Sequence, residues 1–341
     1  MNVDKAEIGL LTDALIRMNL LAAGEEVELT ALSGGVSSQI VRIVKGSETF
    51  CLKRALPKLK VSSEWIAPVE RNVAEVAWLR LVNQIIPGCA PKILGEDRRT
   101  FSFAMEYLEP ETNPVWKDQL MTGNIDSSVA SALAKRLSSI HAATAGLATL
   151  AQEFANDRNF YALRLEPYFS RLAFKYPDLA DSMRGLIVTT LSEKRALVHG
   201  DVSPKNILIS HNGPVLLDAE CACYGDPAFD LAFCLNHFLL KSSFRPASLG
   251  SLLECFEAMT ATYLSNVNWE SASQLEARAA RLLPVLLLAR IDGASPVEYI
   301  EAPEERNRIR NFAIPMITRP PERLATLCDE WSRSRTGAIA S

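Results

Sequence analysis

The chain has 341 residues, of which 48% are hydrophobic and 22% charged, and its formal net charge is −4 at pH 7. This length exceeds what one hydrophobic core ordinarily serves, so a globular protein of two packed units is expected. Acidic and basic residues are interspersed, which argues against the basic face that nucleic-acid binding requires. No apolar run is long enough to cross a bilayer, and we expect a cytoplasmic protein without a membrane partner.

The cysteines give no sign of a disulfide framework or a zinc site. Their number is odd, no two of them form a CxxC pair, and few histidines lie nearby in sequence. Buried free thiols that pack as small hydrophobic side chains are therefore expected. The seven positions are Cys51, Cys89, Cys221, Cys223, Cys234, Cys255 and Cys328.

The first third of the chain predicts an amphipathic helix followed by a small antiparallel sheet. The segment MNVDKAEIGLLTDALIRMNLL has acidic residues among its apolar positions, which is typical of such a helix. Three strand-like segments, ELTALSGG, SQIVRIVKG and ETFCLKRAL, follow with glycine turns between them. An apolar stripe in VERNVAEVAWLRLVNQII predicts a second helix, and APKILGED and RTFSFAMEYLEP predict two further strands. Pro110 and Pro114 then break the pattern, so we place the boundary between the two units there.

The rest of the chain is predicted to be mainly helical. Helical periodicity is found in SSVASALAKRLSSIHAAT, in YALRLEPYFSRLAFKY, in SMRGLIVTTLSEKR and in long stretches from Phe229 onwards. The interruption is ALVHGDVSPKNILISHNGPVLLDAE, where the apolar runs NILIS and PVLLD flank His211-Asn212-Gly213. This arrangement predicts a short β-hairpin preceded by a loop.

Three polar residues around the hairpin have the chemistry that phosphoryl transfer needs. Asp201 and Asn206 stand five apart in HGDVSPKN, and Asp218 follows the hairpin in VLLDAE. One carboxylate can accept the proton of an attacking hydroxyl, while the amide oxygen and the second carboxylate can hold Mg²⁺, which prefers oxygen ligands. Any one of these residues alone could form an Asx turn, but their combination favours a catalytic site.

The motifs HGDxxxxN, DxE and GDPAFDLA occur in this order and resemble those of the aminoglycoside phosphotransferase and choline kinase superfamily. The resemblance implies an α+β, bilobal protein-kinase-like fold, with a small antiparallel-sheet lobe and a larger helical lobe. It places a nucleotide-binding lobe at 1–109, a hinge at 105–110, and a helical lobe with the catalytic loop and substrate site at 111–341. It also implies a kinase that uses ATP and Mg²⁺ and transfers the γ-phosphate to a hydroxyl of a small molecule.

The family pattern also implies a role for each polar residue in these motifs. The first Asp is the catalytic base, which corresponds to Asp201, and the metal ligands correspond to Asn206 and Asp218. Glu220 corresponds to a further metal or water ligand that ranks below the other two, with a salt bridge or simple solvation as an equally weighted alternative. Asp230 corresponds to an Asp that caps backbone amides of the catalytic loop.

The resemblance assigns residues of the first unit to the nucleotide. The small residues of LSGGVSS allow backbone amides to approach phosphates, although a glycine pair is often only a turn. The lysine in CLKR matches the one that contacts the α- and β-phosphates in kinase-like folds, with an acidic partner on the following helix. FAMEYLEP is the expected hinge, where the adenine bonds to the backbone. The expected nucleotide-binding residues are Gly34, Gly35, Ser37, Ser38, Lys53, Glu75, Glu106 and Leu108.

The motifs do not specify the acceptor. The segment WKDQLMTGNID, which begins at Trp116-Lys117, resembles methylthioribose kinase and its relatives. This resemblance favours a sugar-like hydroxyl; an amino alcohol or an aminoglycoside is also open. Arg290, Asp292 and Glu298-Tyr299 form a polar break in a helical region, which could line a substrate cleft or cap a loop. Lys205, beside Asn206, could reach a phosphate or be only a solvated lysine. The oligomeric state is open.

Two other functions compete with a small-molecule kinase. A protein kinase fits poorly, because only a few residues separate Asp218 from GDPAFD and leave no activation loop. A nucleotide-binding pseudokinase that acts as an interaction module is the main alternative, although Lys53, Asp201, Asn206 and Asp218 are all present. Activity discriminates between the two.

Overall fold

A five-stranded antiparallel sheet forms most of the first part of the computed structural model, which describes residues 5–32, 37–58 and 68–336. The strands are β1 (Glu28–Ala31), β2 (Ser38–Lys45), β3 (Glu48–Ala55), β4 (Ile93–Asp97) and β5 (Ser102–Glu106). Their order in the sheet is β1-β2-β3-β5-β4, so β3 lies in the centre. The glycine pair Gly34-Gly35, expected at the nucleotide phosphates, lies outside the described residues.

Two helices pack on the sheet. Helix α1 (Lys5–Arg17) buries an apolar face, including Leu11 and Leu15, against residues of β2 and β3, as its amphipathic pattern predicts. Helix α2 (Arg71–Ile85) buries Trp78, whose ring lies 4.8 Å from the ring of His199. Because His199 belongs to the HGD motif, α2 joins the sheet to the second part of the chain.

The second part of the chain is mainly helical. Its helices are α3 (Trp116–Thr122), α4 (Ser127–Thr144), α5 (Ala148–Glu153), α6 (Asp157–Phe160), α7 (Arg171–Lys175), α8 (Ala180–Ser192), α9 (Pro227–Phe244), α10 (Leu249–Ser265), α11 (Ala272–Asp292), α12 (Pro303–Thr318) and α13 (Leu324–Thr336). Almost every residue of α9 is buried, so this helix forms the centre of the helical core.

The connection between α6 and α7 differs from the sequence-based expectation. The periodicity predicts an α-helix through this region, but Tyr161–Ser170 forms a π-helical segment, called here the π segment. Pro167 lies inside it and has no amide hydrogen, so a regular α-helical bond is missing at that residue. π-Helical turns are often found at functional sites.

Two small β-pairs hold the HGD and DxE motifs. The predicted hairpin is present as β7 (Ile207–Ser210) and β8 (Gly213–Leu216). A second antiparallel pair, which the sequence analysis did not predict, joins β6 (Ala196–Val198) to β9 (Cys223–Gly225). The two pairs bring the residues after β6 next to those after β8.

The α+β fold class expected from the motifs is confirmed, with the antiparallel sheet before the helical part. All seven cysteines lie in the described ranges and are buried free thiols. Among the helices of the described residues, none is both long and apolar enough to span a membrane.

Candidate active site

The loop of the HGD motif, which is the predicted catalytic loop, contains a glycine that no other residue could easily replace. Gly200 has φ +77°, and a Cβ at this position would lie 2.8 Å from the backbone oxygen of Cys221. A side chain there would be strained by its φ angle and would also collide with the backbone after β8. The glycine of HGD therefore allows the two motif segments to approach each other.

Asp230 fixes the backbone of this loop. Its carboxylate accepts hydrogen bonds from the amides of His199 and Gly200, at 2.7 and 2.8 Å. The side chain of His199 accepts from the amide of Asp201 at 3.1 Å and donates to the carbonyl of Leu217 at 3.0 Å. Burial lowers the pKa of His199, which agrees with a neutral ring that braces the loop.

The carboxylate of Asp201 is buried among three donors. Its Oδ2 lies 2.6 Å from Nη2 of Arg164, accepts from Nδ2 of Asn206 at 2.8 Å and lies 3.5 Å from Nζ of Lys205. Burial alone would raise the pKa of Asp201, but the charges of Arg164 and Lys205 outweigh burial and lower it. Asp201 is thus held as an oriented, ionised carboxylate.

Sequence analysis missed Arg164. This residue lies on the π segment, is buried, and also donates from Nε to the carbonyl of Gly200 at 2.6 Å. It belongs to no family motif, and in sequence it looks like an ordinary arginine of an amphipathic helix. The one available signal was Pro167 inside the predicted helix, which indicates an irregular segment.

Lys53 bridges two carboxylates. Its Nζ donates to Glu75 Oε1 at 2.7 Å and also binds Oδ1 of Asp218. Burial lowers the pKa of Lys53, but the charges of Asp218 and Glu75 more than offset this effect and raise it. Asp218 has φ +67°, a sparsely populated conformation for a residue with a side chain. Strain of this kind is common at functional sites.

Glu220 has a different partner. Its Oε2 accepts from Nε of the fully buried Arg71 at 2.9 Å, and Arg71 also donates to the carbonyls of Ser37 and Leu56. This contact is the salt bridge that sequence analysis weighed against a metal ligand. It ties the DxE motif to the first residue of α2 and to the segments beside β2 and β3.

A cavity of about 400 Å³ lies between the sheet and the catalytic loop. Its volume is within the range of small-molecule sites. Tyr107 and Met105 from the expected hinge line it, although Glu106 and Leu108 do not. The expected site residues that line it are Ser37, Ser38, Lys53, Glu75, Asn206 and Asp218, with Lys205 beside them.

The donor atoms at one end of this cavity suit Mg²⁺. Nδ2 of Asn206 donates to Asp201, and none of the described residues donates to Oδ1 of Asn206. Asp218 adds a carboxylate on the same side. Burial alone would raise the pKa of Asp218, but the charges of Lys53 and Lys205 outweigh burial and lower it, so the carboxylate stays ionised. An amide oxygen and a carboxylate are ligands that Mg²⁺ accepts.

Comparison with known proteins identifies the family. Residues 28–261 match the profile of APH, the phosphotransferase enzyme family, so the chain belongs to it. Methylthioribose kinase of Geobacillus sp. (strain WCH70) is 24% identical over 262 residues, which are 68% of this chain and 64% of the relative. The chain spans less than two thirds of the length of the curated methylthioribose kinases that it matches, from 58% to 66%.

Solved structures of similar fold include two small-molecule kinases. Plasmodium vivax ethanolamine kinase has a TM-score of 0.58 at 14% identity, covering 94% of this chain and 92% of its own. An amicoumacin kinase in complex with AMP-PNP, Ca²⁺ and Ami has a TM-score of 0.59 at 12% identity, covering 94% and 96%. At these identities the likeness concerns the fold. The family and the fold that the motifs predicted are confirmed.

Proposed function

We propose that this protein is an ATP- and Mg²⁺-dependent kinase that phosphorylates a hydroxyl of a small molecule. The observation that carries the proposal is the convergence of Lys53, Glu75, Asn206 and Asp218 on one cavity, with Asp201 bonded to Asn206. These residues supply the positive charge, metal ligands and base that phosphoryl transfer requires.

The nucleotide is proposed to lie between a lobe at 1–109 and a helical lobe at 111–341. Its adenine would bond to the backbone of Glu106 and Leu108 in the hinge at 105–110, beside Met105. The phosphates would lie along 34–38, with Lys53 held toward them by Glu75. The hydrogen bond between Lys53 and Glu75 supports this placement, because it orients the ammonium into the cavity.

Asn206 and Asp218 would hold Mg²⁺, which neutralises charge on the phosphates when it is bound. Glu220 ranks below them as a ligand, since its carboxylate already pairs with Arg71. Asp201 would align the acceptor hydroxyl and take its proton. Arg164 supports this role because it fixes the carboxylate in one orientation.

The acceptor is proposed to be a small hydroxyl compound: sugar-like, an amino alcohol or an aminoglycoside. The relatives and structural neighbours include a methylthioribose kinase and an ethanolamine kinase, which is why a sugar and an amino alcohol are both tested. The alternative is a pseudokinase that binds nucleotide and serves as an interaction module. A buried, oriented Asp201 favours the enzyme, since an interaction module has no need of it.

The test is ADP release with Mg²⁺ and ATP across a panel of sugars, methylthioribose, amino alcohols and aminoglycosides. Asp201→Asn should keep nucleotide binding and lower turnover by roughly a hundredfold to ten-thousandfold. Asp181→Asn, at an exposed position on α8, is the control and should behave as wild type. Nucleotide binding without turnover of any compound would favour the pseudokinase.

A further inference from the structure

One face of α9 runs from the catalytic loop toward a group of basic residues. Phe233, His237 and Lys241 follow at intervals of four residues, so they share this face. Its start lies beside the proposed reaction centre, because Asp230 accepts a hydrogen bond from the amide of Gly200. At about 1.5 Å per residue, His237 lies roughly 10 Å and Lys241 roughly 16 Å along the helix axis from Asp230.

Side-chain contacts connect this face to Asp201. The guanidinium of Arg164, which binds Asp201, lies 5.6 Å from the ring centroid of Phe233. The rings of Phe233 and His237 are 5.7 Å apart in an edge-on arrangement. One guanidinium and one ring therefore separate the catalytic carboxylate from His237, a span that a single small molecule can cover.

Four residues at the far end of this face, His237, Lys241, Arg290 and Tyr299, are called here the α9 cluster. Both ring nitrogens of His237, Nε of Arg290 and the hydroxyl of Tyr299 are buried without a hydrogen-bond partner among the described residues. Lys241 is 1% exposed, and within the same ranges its ammonium has no hydrogen bond or ion pair; it lies 5.3 Å from the Tyr299 ring centroid. The guanidinium of Arg290 is partly paired, because its Nη1 donates to Ser295. Buried polar atoms normally have partners, so the atoms left without one point to a binding site.

The charges around the α9 cluster are mainly positive. Basic side chains from three other elements face His237: Lys117 of α3, Lys205 of the catalytic loop and Arg290 of α11. Glu298 is a carboxylate near Lys241, but its side chain is 65% exposed and pairs with Lys117. If the ammonium of Lys241 had only a structural role, a carboxylate or carbonyl would be expected close to it, because burying an unpaired charge destabilises the protein.

We propose that the acceptor carries an anionic group, a carboxylate or a phosphate, roughly 10 to 16 Å from the hydroxyl that is phosphorylated, and that the α9 cluster binds this group. The proposal rests on the proposed function for the position of the hydroxyl at Asp201. Lys241, Arg290 and Tyr299 would donate charge-assisted hydrogen bonds to the anion. Cationic amino alcohols and aminoglycosides would be repelled by the same side chains.

The first experiment measures binding without turnover. The melting temperature of the full chain is recorded without nucleotide in gluconate, inorganic phosphate, glucose and choline. Gluconate, phosphate or both should raise it by several degrees at millimolar concentration, whereas glucose and choline should not; the stronger of the two anions identifies the group. Lys241→Met and Tyr299→Phe should each raise the anion concentration needed for a given increase in melting temperature by at least about tenfold. The reason is that each variant removes one strong hydrogen bond to the anion.

Two variants, Tyr299→Phe and Lys53→Met, separate loss of anion binding from poor folding and from binding at the nucleotide site. Tyr299→Phe removes only a hydroxyl without a partner among the described residues, so its fold should be intact even if Lys241→Met folds poorly. Lys53→Met changes the proposed nucleotide phosphate site and should keep the gluconate effect, which separates the two places where an anion could bind. An anion effect that is absent, or that both cluster variants keep, overturns the proposal.

The second experiment measures ADP release with acceptors matched in size that differ in charge: sugar acids and sugar phosphates against neutral sugars and amino sugars. Anionic acceptors should have the lower KM, and Lys241→Met should raise that KM about tenfold or more with a smaller change in kcat. Turnover of a cationic acceptor with KM unchanged in Lys241→Met overturns the proposal but leaves the kinase function intact. If anions raise the melting temperature of wild type but not of Lys241→Met, and no acceptor is turned over, the anion site is supported and the kinase function is not.

Discussion

Nη2 of Arg164 lies 2.6 Å from Oδ2 of Asp201, and Nε of the same guanidinium donates to the carbonyl of Gly200 at 2.6 Å. One side chain therefore holds both the carboxylate and the backbone of the catalytic loop. Asp201 and Arg164 are both buried, so solvent screens this pair little. The π segment thus places a positive charge, Arg164, beside the proposed base, although Arg164 lies outside the sequence motifs.

Arg164→Met should lower kcat by roughly tenfold to a hundredfold, because Asp201 loses the group that orients it. The KM for ATP should change less than about twofold, since Arg164 is not among the residues that line the cavity. Arg164→Lys should restore only part of kcat, because one ammonium cannot reproduce a guanidinium that bonds through three nitrogens. Steady-state kinetics with separate titration of ATP and acceptor measures this.

The control for Arg164 is Arg184→Gln, which removes a guanidinium from an exposed pair with Asp181 on α8. It should have wild-type kinetics. If Arg164→Met instead raised only the KM for the acceptor, Arg164 would be an acceptor-binding residue and its orienting role would be wrong.

Asp218→Asn should abolish Mg²⁺-dependent nucleotide binding. The substitution removes a negative charge from the proposed metal ligand and from the partner of Lys53, while Asn tolerates the left-handed conformation at φ +67°. Calorimetric titration with AMP-PNP, in Mg²⁺ and in EDTA, should show tight binding only for wild type with Mg²⁺. Equal affinity of the variant and wild type in Mg²⁺ would remove Asp218 from the metal site.

The residues that sequence analysis did find belong to short local motifs. Asp201 and Asn206 are five residues apart on one loop, so their chemistry is visible in a single window of sequence. The Lys53–Glu75 pair was predictable because the strand and helix that carry it follow each other in the chain. The glycine-rich segment remains a prediction, as it lies outside the residues that the structure describes.

Other features depend on contacts between distant parts of the chain. Arg71 is the first residue of α2, and its guanidinium pairs with Glu220. In sequence it looks like the first residue of any helix. Lys241 looks in sequence like an ordinary charged residue near the end of a helix, and only the packing around α9 shows that it is buried. Asp292, grouped with Arg290 in the sequence, instead pairs with Lys175 and Arg310. In sequence, the polar break is interpreted as a cleft lining or a loop cap. The ion pairs of Asp292 fit a structural role for that residue, and a role of Arg290 in a substrate cleft stays a prediction.

Glu220→Gln distinguishes a salt bridge from a metal ligand. The variant should lower the free energy of unfolding by about 3 kcal/mol, because Arg71 is fully buried and would lose its carboxylate partner. The Mg²⁺ concentration that gives half-maximal activity should change less than about twofold, since that quantity depends on Asn206 and Asp218 in the proposed site. Urea unfolding and a Mg²⁺ titration of activity measure the two effects. A large shift in the Mg²⁺ requirement with little loss of stability would instead make Glu220 a metal ligand.

Lys241 should make the stability of the protein depend on pH. Burial, and then the charges of Lys117 and Arg290, lower the pKa of Lys241 from 10.5 to about 7, while Cys234 and Glu298 oppose this change. Between pH 7 and 10 the unfolded chain therefore holds a proton on this lysine that the folded protein does not, so the free energy of unfolding should rise with pH across this window. Well below pH 7, the folded protein bears the full cost of a buried charge.

Lys241→Met isolates most of this effect, because groups far from Lys241 titrate identically in both proteins. His237 is near enough for Lys241 to lower its pKa, but burial is the larger cause of that lowering and acts in both proteins. The variant should be more stable than wild type at pH 6, and the difference should shrink as the pH rises toward 10. Urea unfolding at pH 6, 7, 8 and 9 measures it. A difference that is constant with pH would mean that Lys241 stays protonated when buried. The α9 cluster would then hold a permanent positive charge, and anion binding should not weaken above pH 7.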